Sequence, residues 1–213
     1  MEFNKKYDKQ MISVDTCIFS IMDKKLKVLL IQRAKEPFSG KWSLVGGGVY
    51  NDETCQEAVK RELREKLGIS NVNPQLCGVY SDPSRDPRFR NISISYSCLT
   101  NKTLILKNSE DKVLNSQWFS INDLPELAFD HSIILGKALE DLKSKVFDMN
   151  YMKEFLPKVF TLGTLQEIYE SILGISLDKR NFRRKLMLMN CLKKTGEKNT
   201  NDPHKKSDLY VIK

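Results

Sequence analysis

Apolar residues come in short alternating runs through the first hundred positions and at intervals of three and four from about residue 130 onward. The chain therefore changes its structural period partway along. Residues 14–32 (VDTCIFSIMDKKLKVLLIQ) predict two strands around the polar turn Asp23-Lys24-Lys25, a hairpin. Strand patterning returns at 76–80, with clear alternation at 92–99 (ISISYSCL), and again over 107–119. After the hairpin lies a helix over 53–67, with Ala58, Val59, Leu63 and Leu67 on its apolar side and Gly68 stopping it. Strands, a helix and further strands within about 120 residues describe an α/β fold, a mixed sheet with flanking helices.

The segment HSIILGKALEDLKSKV then spaces Ile133, Ile134, Ala138 and Leu142 at helical intervals, which predicts a bridging helix at about 130–147. Beyond Met149 a second module follows. Thr161 and Thr164 compete to cap a helix over 165–173 that Gly174 closes, and a further helix covers 178–192 (DKRNFRRKLMLMNCL). Phe182, Leu186 and Met189 form an inward stripe on that helix, facing Leu165, Ile168, Tyr169 and Ile172. Residues 193–213 read as two short strands around a long polar turn. Two helices, a short turn with glycine and a ribbon outline a winged helix-turn-helix, so the expected domains are 1–149 and 150–213.

Charge sharpens this division. The 213 residues carry 35 Lys and Arg against 27 Asp and Glu, a net +8. Residues 174–213 hold eleven of those cations and four of the acids, so +7 lies there and the rest is nearly neutral. A neutral body with a basic terminal module implies a polyanion partner for that module alone. Lys179, Arg180, Asn181, Arg183, Arg184 and Lys185 lie near the start of the second helix, where a recognition helix meets bases or phosphates in the major groove. On the wing, Lys193, Lys194, Lys198, Lys205 and Lys206 add salt-dependent backbone affinity. The set as a whole is expected to bind double-stranded DNA.

Other classes are excluded by pattern. No apolar run approaches the roughly 18 to 20 residues that cross a bilayer, and the start MEFNKKYDKQ lacks the apolar stretch of a signal peptide. A cytoplasmic location and no membrane partner are expected. The five cysteines, at 17, 55, 77, 98 and 191, show neither close pairs nor metal-ligand spacing, so reduced thiols and no structural zinc are expected. His131, after Asp130 in LAFDH, reads as a hydrogen-bonded structural residue rather than a base.

The chemical signal of the first module is GGGVYNDETCQEAVKRELREKLGI, residues 46–69. Its glycines allow a tight backbone path, and Glu62 and Glu65 fall three residues apart on one helix face, where carboxylates can share a divalent ion with substrate phosphates. Gly47, Glu53, Arg61, Glu62, Leu63, Glu65, Gly68 and Ile69 resemble the signature box of the Nudix hydrolases. That resemblance implies that Glu62 and Glu65 are the metal ligands and catalytic carboxylates, with Mg²⁺ or Mn²⁺ as the ion if the site is active. Lys66 departs from the box, because the family has a second adjacent Glu there. It removes a ligand and repels the cation, but it can also pair with phosphate.

The resemblance extends over nearly the whole chain. RAKEPFSGKWSLVGGG (33–48), SDPSRDPRFRNISISY (81–96), LPELAFDHSIIL (124–135), LPKVFTLGTLQEIYESILG (156–174) and DKRNFRRKL (178–186) are similar to the Nudix-related transcriptional regulators of the NrtR type. The family implies a Nudix-like α/β/α sandwich followed by a winged helix-turn-helix, in a homodimeric regulator, usually a repressor. Its sensor binds ADP-ribose or a related nucleotide, or a sugar such as arabinose. In this reading no cofactor is required, and effector binding biases the placement of two winged helices. Arg33, Arg85, Arg88 and Arg90 are candidate anion anchors of the effector cleft, with Lys66, and with Trp42 and Phe38 as stacking or core residues. The alternative function is a metal-dependent Nudix hydrolase acting on ADP-ribose or a related nucleoside diphosphate derivative.

Overall fold

The computed structural model describes residues 9–101, 111–199 and 207–213. Strands β1 (Met11–Met22) and β2 (Lys25–Arg33) form the expected hairpin, turning through Asp23 and Lys24, both in the left-handed region at φ 53° and 58°. Such a turn matches the right-handed twist of its strands. Short strands β3 (Trp42–Ser43) and β4 (Val45–Gly48) lead to helix α1 (Cys55–Leu67), followed by β5 (Gln75–Tyr80), β6 (Asn91–Thr100), β7 (Val113–Ser120) and α2 (His131–Ser144). The mixed sheet has seven strands: its main path runs β3-β2-β1-β6-β5, with β4 on β1 and β7 on β2. For the strand expected over 107–119, residues 107–110 lie outside the described residues.

Local chemistry sets the ends of α1. The Thr54 side chain accepts from the Glu57 N–H while Glu57 accepts from Thr54 N, a reciprocal cap that starts the helix two residues later than its periodicity predicts. Gly68, left-handed at φ 68°, ends it. Ala58, Val59, Leu63 and Leu67 are buried against Val14, Ile18, Leu29 and Ile31 of the sheet. In α2 the buried set is Ile134, Leu135, Ala138 and Leu142, whereas Ile133 is 65% exposed. This corrects the expected stripe: the buried imidazole of His131 opens the helix and fixes its inward face on positions 131, 134, 135 and 138.

The chain forms two compact units that are not sequential. One comprises Met1–Phe19, Val28–Cys98 and Thr103–Leu139; the other comprises Ser20–Lys27, Leu99–Lys102 and Glu140–Lys213. In the second unit, α3 (Met149–Met152) and a 3₁₀ turn (Lys153–Phe155) precede β8 (Phe160–Thr161), α4 (Leu162–Leu173), α5 (Lys179–Leu188), β9 (Leu192–Asn199) and β10 (Ser207–Ile212). The strands make a sheet in the order β8-β10-β9. Thr161, not Thr164, is the cap of α4: its side chain accepts the Thr164 N–H at 3.0 Å. Leu165, Ile168, Tyr169 and Ile172 are buried with Phe182 and Leu186, and the Tyr169 and Phe182 rings meet edge to face at 5.1 Å. Helix α5 is shorter than the expected 178–192. Asn190 turns left-handed at φ 50°, Met189 becomes a half-buried cap, and Leu192 opens the wing.

The tip of the β1–β2 hairpin belongs to this second unit. Lys24 Nζ lies 3.0 Å from Glu167, and Ser171 donates its hydroxyl to the Lys24 carbonyl at 2.9 Å. No helix among the described residues is long and apolar enough to cross a membrane. None of the five cysteines forms a disulfide; Cys17 and Cys98 are buried, and burial pushes the Cys98 thiol up to about 12.

Candidate functional site

The glycine run does two steric jobs. β4 pairs antiparallel with β1, setting Gly46 opposite Asp15 and Gly47 opposite Val14. A Cβ on Gly46 would fall 2.1 Å from the Val14 carbonyl, and one on Gly47 would fall 2.2 Å from Glu62 Oε1. Only glycine lets the strand lie against both. The strand is thus a floor over which α1 lays its carboxylate.

Arg61 braces that arrangement. Its guanidinium donates to both oxygens of Glu53 (2.9 and 2.7 Å), to Glu62 Oε1 (2.6 Å) and to the Gly48 carbonyl (2.8 Å), and it stacks 3.9 Å from the Tyr50 ring centroid. The Glu53 bonds, against opposition from burial, hold Arg61 above its ordinary pKa and Glu53 below its own. Lys66 Nζ donates to the Gly46 carbonyl and lies 3.0 Å from Glu62 Oε2. Glu65, on the more open side, is 2.9 Å from Lys112, whose hydrogen bond holds the carboxyl below its ordinary value. Each box carboxylate therefore already has a cation from its own chain.

Mg²⁺ and Mn²⁺ are the ions implied by the box, and the residues present do not fit them. Among the described residues no group of three or more His, Cys, Asp or Glu could hold a metal ion. Glu62 faces Arg61 on one oxygen and Lys66 on the other, and hard divalent ions need around six oxygen donors.

Next to this helix end opens a cleft of about 100 Å³ whose lining includes Asp15, Arg33, Lys66, Arg88, Phe129 and His131. Arg33 donates to the Pro37 and Lys35 carbonyls and lies 4.8 Å from the Phe129 ring centroid. Arg88 forks onto Asp86 at 2.9 and 2.8 Å and lies 5.9 Å from the same ring. Burial, then the nearby Arg88 charge, pull the Arg33 guanidinium below its usual value, so an anion between the two arginines relieves a repulsion. Phe129 is held at φ 56°, a costly setting for an aromatic residue.

Arg85 also lines this cleft, whereas Arg90, Trp42 and Phe38 are not among its lining residues. Arg85 has 3% of its side chain exposed and is committed to Asp130 (2.9 and 2.7 Å) and Asp15 (3.2 Å). Arg90 donates to the Ser81 carbonyl. Trp42 packs edge to face on Phe119 at 4.7 Å, and Phe38 packs on Phe129 at 4.8 Å. The reading of single residues missed the group around Asp15. Its carboxylate accepts from Ser93 Oγ (2.5 Å), faces His131 Nε2 (3.3 Å) and pairs with Arg85. His131 Nδ1 accepts the Leu44 N–H at 3.0 Å, so the ring proton sits on Nε2, toward Asp15. An acid inside the apolar run SVDTCIF was the available signal, since unpaired carboxylates are almost never buried.

In the second unit α4 and α5 are joined by a clamped turn. Glu170 accepts the Leu177 N–H at 2.8 Å, Gln166 donates to the Leu177 carbonyl at 2.9 Å, and Asp178 caps α5. Lys179, Arg180, Asn181, Arg183, Arg184 and Lys185 are all exposed. Arg184 reaches Asn181 at 3.2 Å, while Lys185 Nζ sits 3.3 Å over the Phe147 ring. On the wing Lys193 and Lys198 are exposed, and Lys194 pairs with Asp208 at 2.6 Å; Lys205 and Lys206 lie outside the described residues.

Comparison with known proteins agrees with this geometry. The NUDIX domain model matches residues 11–142, and the NrtR DNA-binding winged helix domain model matches residues 152–212. The ADPR responsive transcriptional repressor NtrR of Acinetobacter baylyi is 31% identical over 195 residues, 90% of this chain and 78% of its own. The ADP-ribose pyrophosphatase of Methanocaldococcus jannaschii is 38% identical over 145 residues, 62% of this chain and 85% of its own. Shewanella oneidensis NrtR superposes with a TM-score of 0.78 at 30% identity, covering 95% of this chain and 94% of that one. It has also been solved with a 27mer DNA (TM-score 0.77, 29% identity, 95% and 93% covered), and its NUDIX domain with ADP ribose (0.60, 31%, 66% and 94%). The chain belongs to the Nudix family, in the group that joins a Nudix domain to an NrtR-type DNA-binding winged helix.

Proposed function

We propose that this protein is an effector-responsive transcriptional repressor that binds operator DNA as a homodimer, with residues 1–149 sensing and 150–213 reading DNA. The effector is an ADP-ribose-like nucleotide, held by Arg33, Arg88 and Lys66 and hydrolysed slowly or not at all. The observation that carries this reading is the exposed run Arg180, Arg183 and Arg184 at the start of α5, in one chain with a cleft where two guanidiniums flank Phe129. Arginine forks suit diphosphate, which favours a nucleotide over a neutral sugar. The DNA and ADP ribose complexes of the Shewanella protein support the same pairing of roles.

A second reading, a metal-dependent hydrolase, draws on the likeness to the Methanocaldococcus pyrophosphatase. Against it stand Lys66 and the engagement of Glu62 and Glu65 by cations of their own chain. Gel-shift titration of upstream DNA, with and without ADP-ribose, tests the first reading. Salt-sensitive binding that ADP-ribose alters is expected, and no binding to any upstream fragment sinks it. Release of AMP from ADP-ribose with Mg²⁺, abolished by Glu62→Gln, would establish the second instead.

A further inference from the structure

The surroundings of Lys66 are those of a metal ion. Its ammonium is held by a backbone carbonyl, Gly46, and by a carboxylate oxygen, Glu62 Oε2 at 3.0 Å, both of the hard donor type that Mg²⁺ or Mn²⁺ takes. Glu62 Oε2 is buried and has no hydrogen-bond partner, so the Lys66 charge is what compensates it. The carboxylate is also pinned: Arg61 holds Oε1 at 2.6 Å, and Gly47 lies so close beneath that even a methyl group there would collide with it. An ammonium has three N–H groups. One is donated to the Gly46 carbonyl and the Glu62 contact is an ion pair, so N–H groups remain for the cleft that Lys66 lines.

We propose that Lys66 is a tethered cation that does the electrostatic work of a divalent ion, so that this cleft binds a diphosphate without metal. The ligand class rests on the reading given under Proposed function. The substitution is therefore more than a lost ligand. It neutralises the buried Glu62, ties the C-terminal end of α1 to the glycine strand and presents positive charge to a phosphate oxygen. It supplies no coordinated water, so ligand is held rather than cleaved, as a sensor requires. Glu65 offers no second foothold, being shared between Lys112 at 2.9 Å and Arg61 at 3.8 Å.

The test has two arms on the full-length protein. In the first, Mn²⁺ alone is titrated and followed by electron paramagnetic resonance. The wild type is expected to show no site, Lys66→Glu to gain one, and Glu62→Gln on that background to lose it. A wild-type Mn²⁺ site that Glu62→Gln removes overturns the proposal whatever the nucleotide result, as does a folded Lys66→Glu protein that takes up no Mn²⁺. In the second arm, ADP-ribose is titrated calorimetrically in EDTA and in Mg²⁺. Affinities within about twofold of each other are expected, and a fall of about tenfold or more on chelation overturns the proposal. Absence of ADP-ribose binding in both buffers would defeat the effector reading instead, and the Mn²⁺ arm would still decide the role of Lys66.

Discussion

The Arg85 guanidinium lies 3.2 Å from Asp15 Oδ2, with 3% of the arginine side chain exposed. Asp15 and Asp130 share this one cation, and Ser93 and His131 complete the shell around Asp15. Asp130 still compensates Arg85 when Asp15 is neutralised, so what is lost is the charge-assisted bonding around Asp15 itself. Asp15→Asn is therefore expected to cost about 1.5 to 3 kcal/mol in denaturant unfolding of the first unit. A loss below about 1 kcal/mol would place the pair among weak surface bridges.

The same group sets an acid limit. Burial works to raise the Asp15 carboxyl, but His131, Ser93 and Arg85 outweigh it and hold the group well below its ordinary 3.8. A carboxyl lowered in the folded state stabilises above its unfolded pKa, and that contribution is lost as pH falls through the folded value. The stability gap between wild type and Asp15→Asn should stay level from about pH 7 to 5 and narrow below about pH 4. Thermal melts at stepped pH check this, and a gap that widens in acid contradicts it.

Two glycines predict opposite outcomes. Gly47→Ala drives a methyl group into Glu62 Oε1, so a loss of about 1 to 3 kcal/mol is expected, with weaker ADP-ribose binding. Gly136 lies in α2 with nothing within 4 Å of a built Cβ, so Gly136→Ala should stabilise by about 0.5 to 1 kcal/mol. Paired melting curves that move in the same direction would refute the steric account.

On the DNA side, pairing within the protein ranks the cations. Arg180 and Arg183 are exposed and show no ion pair among the described residues, whereas Lys194 is held by Asp208. Arg183→Ala is expected to weaken operator binding about tenfold and to lower the salt slope by about one; Lys194→Ala should do less of both. Fluorescence anisotropy between about 50 and 200 mM salt measures the two slopes, and equal effects would remove the ranking.

The box on α1 was legible because a helix repeats its side chains at fixed intervals: Arg61, Glu62 and Glu65 stand where the spacing puts them. Partners brought in from distant strands were not. Lys112 on Glu65, and Asp15 beneath Arg85, depend on strand order, which no local pattern encodes. β6 is a subtler case. The alternation of ISISYSCL is real, but Ser93, Ser95 and Ser97 are fully buried, so the small polar face is not the wet one. Period two marks a strand without saying which side is covered. The end of α5 was misplaced for a similar reason: apolar residues continue to Leu192, and only the left-handed Asn190 stops the helix.

The hairpin turn at Asp23 and Lys24, tied through Glu167 and Ser171, makes dissection of this chain uneven. The second compact unit draws on three stretches of sequence, so a fragment beginning near residue 150 would lack Ser20–Lys27 and Leu99–Lys102. Cutting between the matched domains separates residues that are neighbours in space. DNA affinity of such a fragment would therefore report the loss of its own support as well as the loss of the sensor, and point variants in the whole chain isolate the reading helix more cleanly than truncation does.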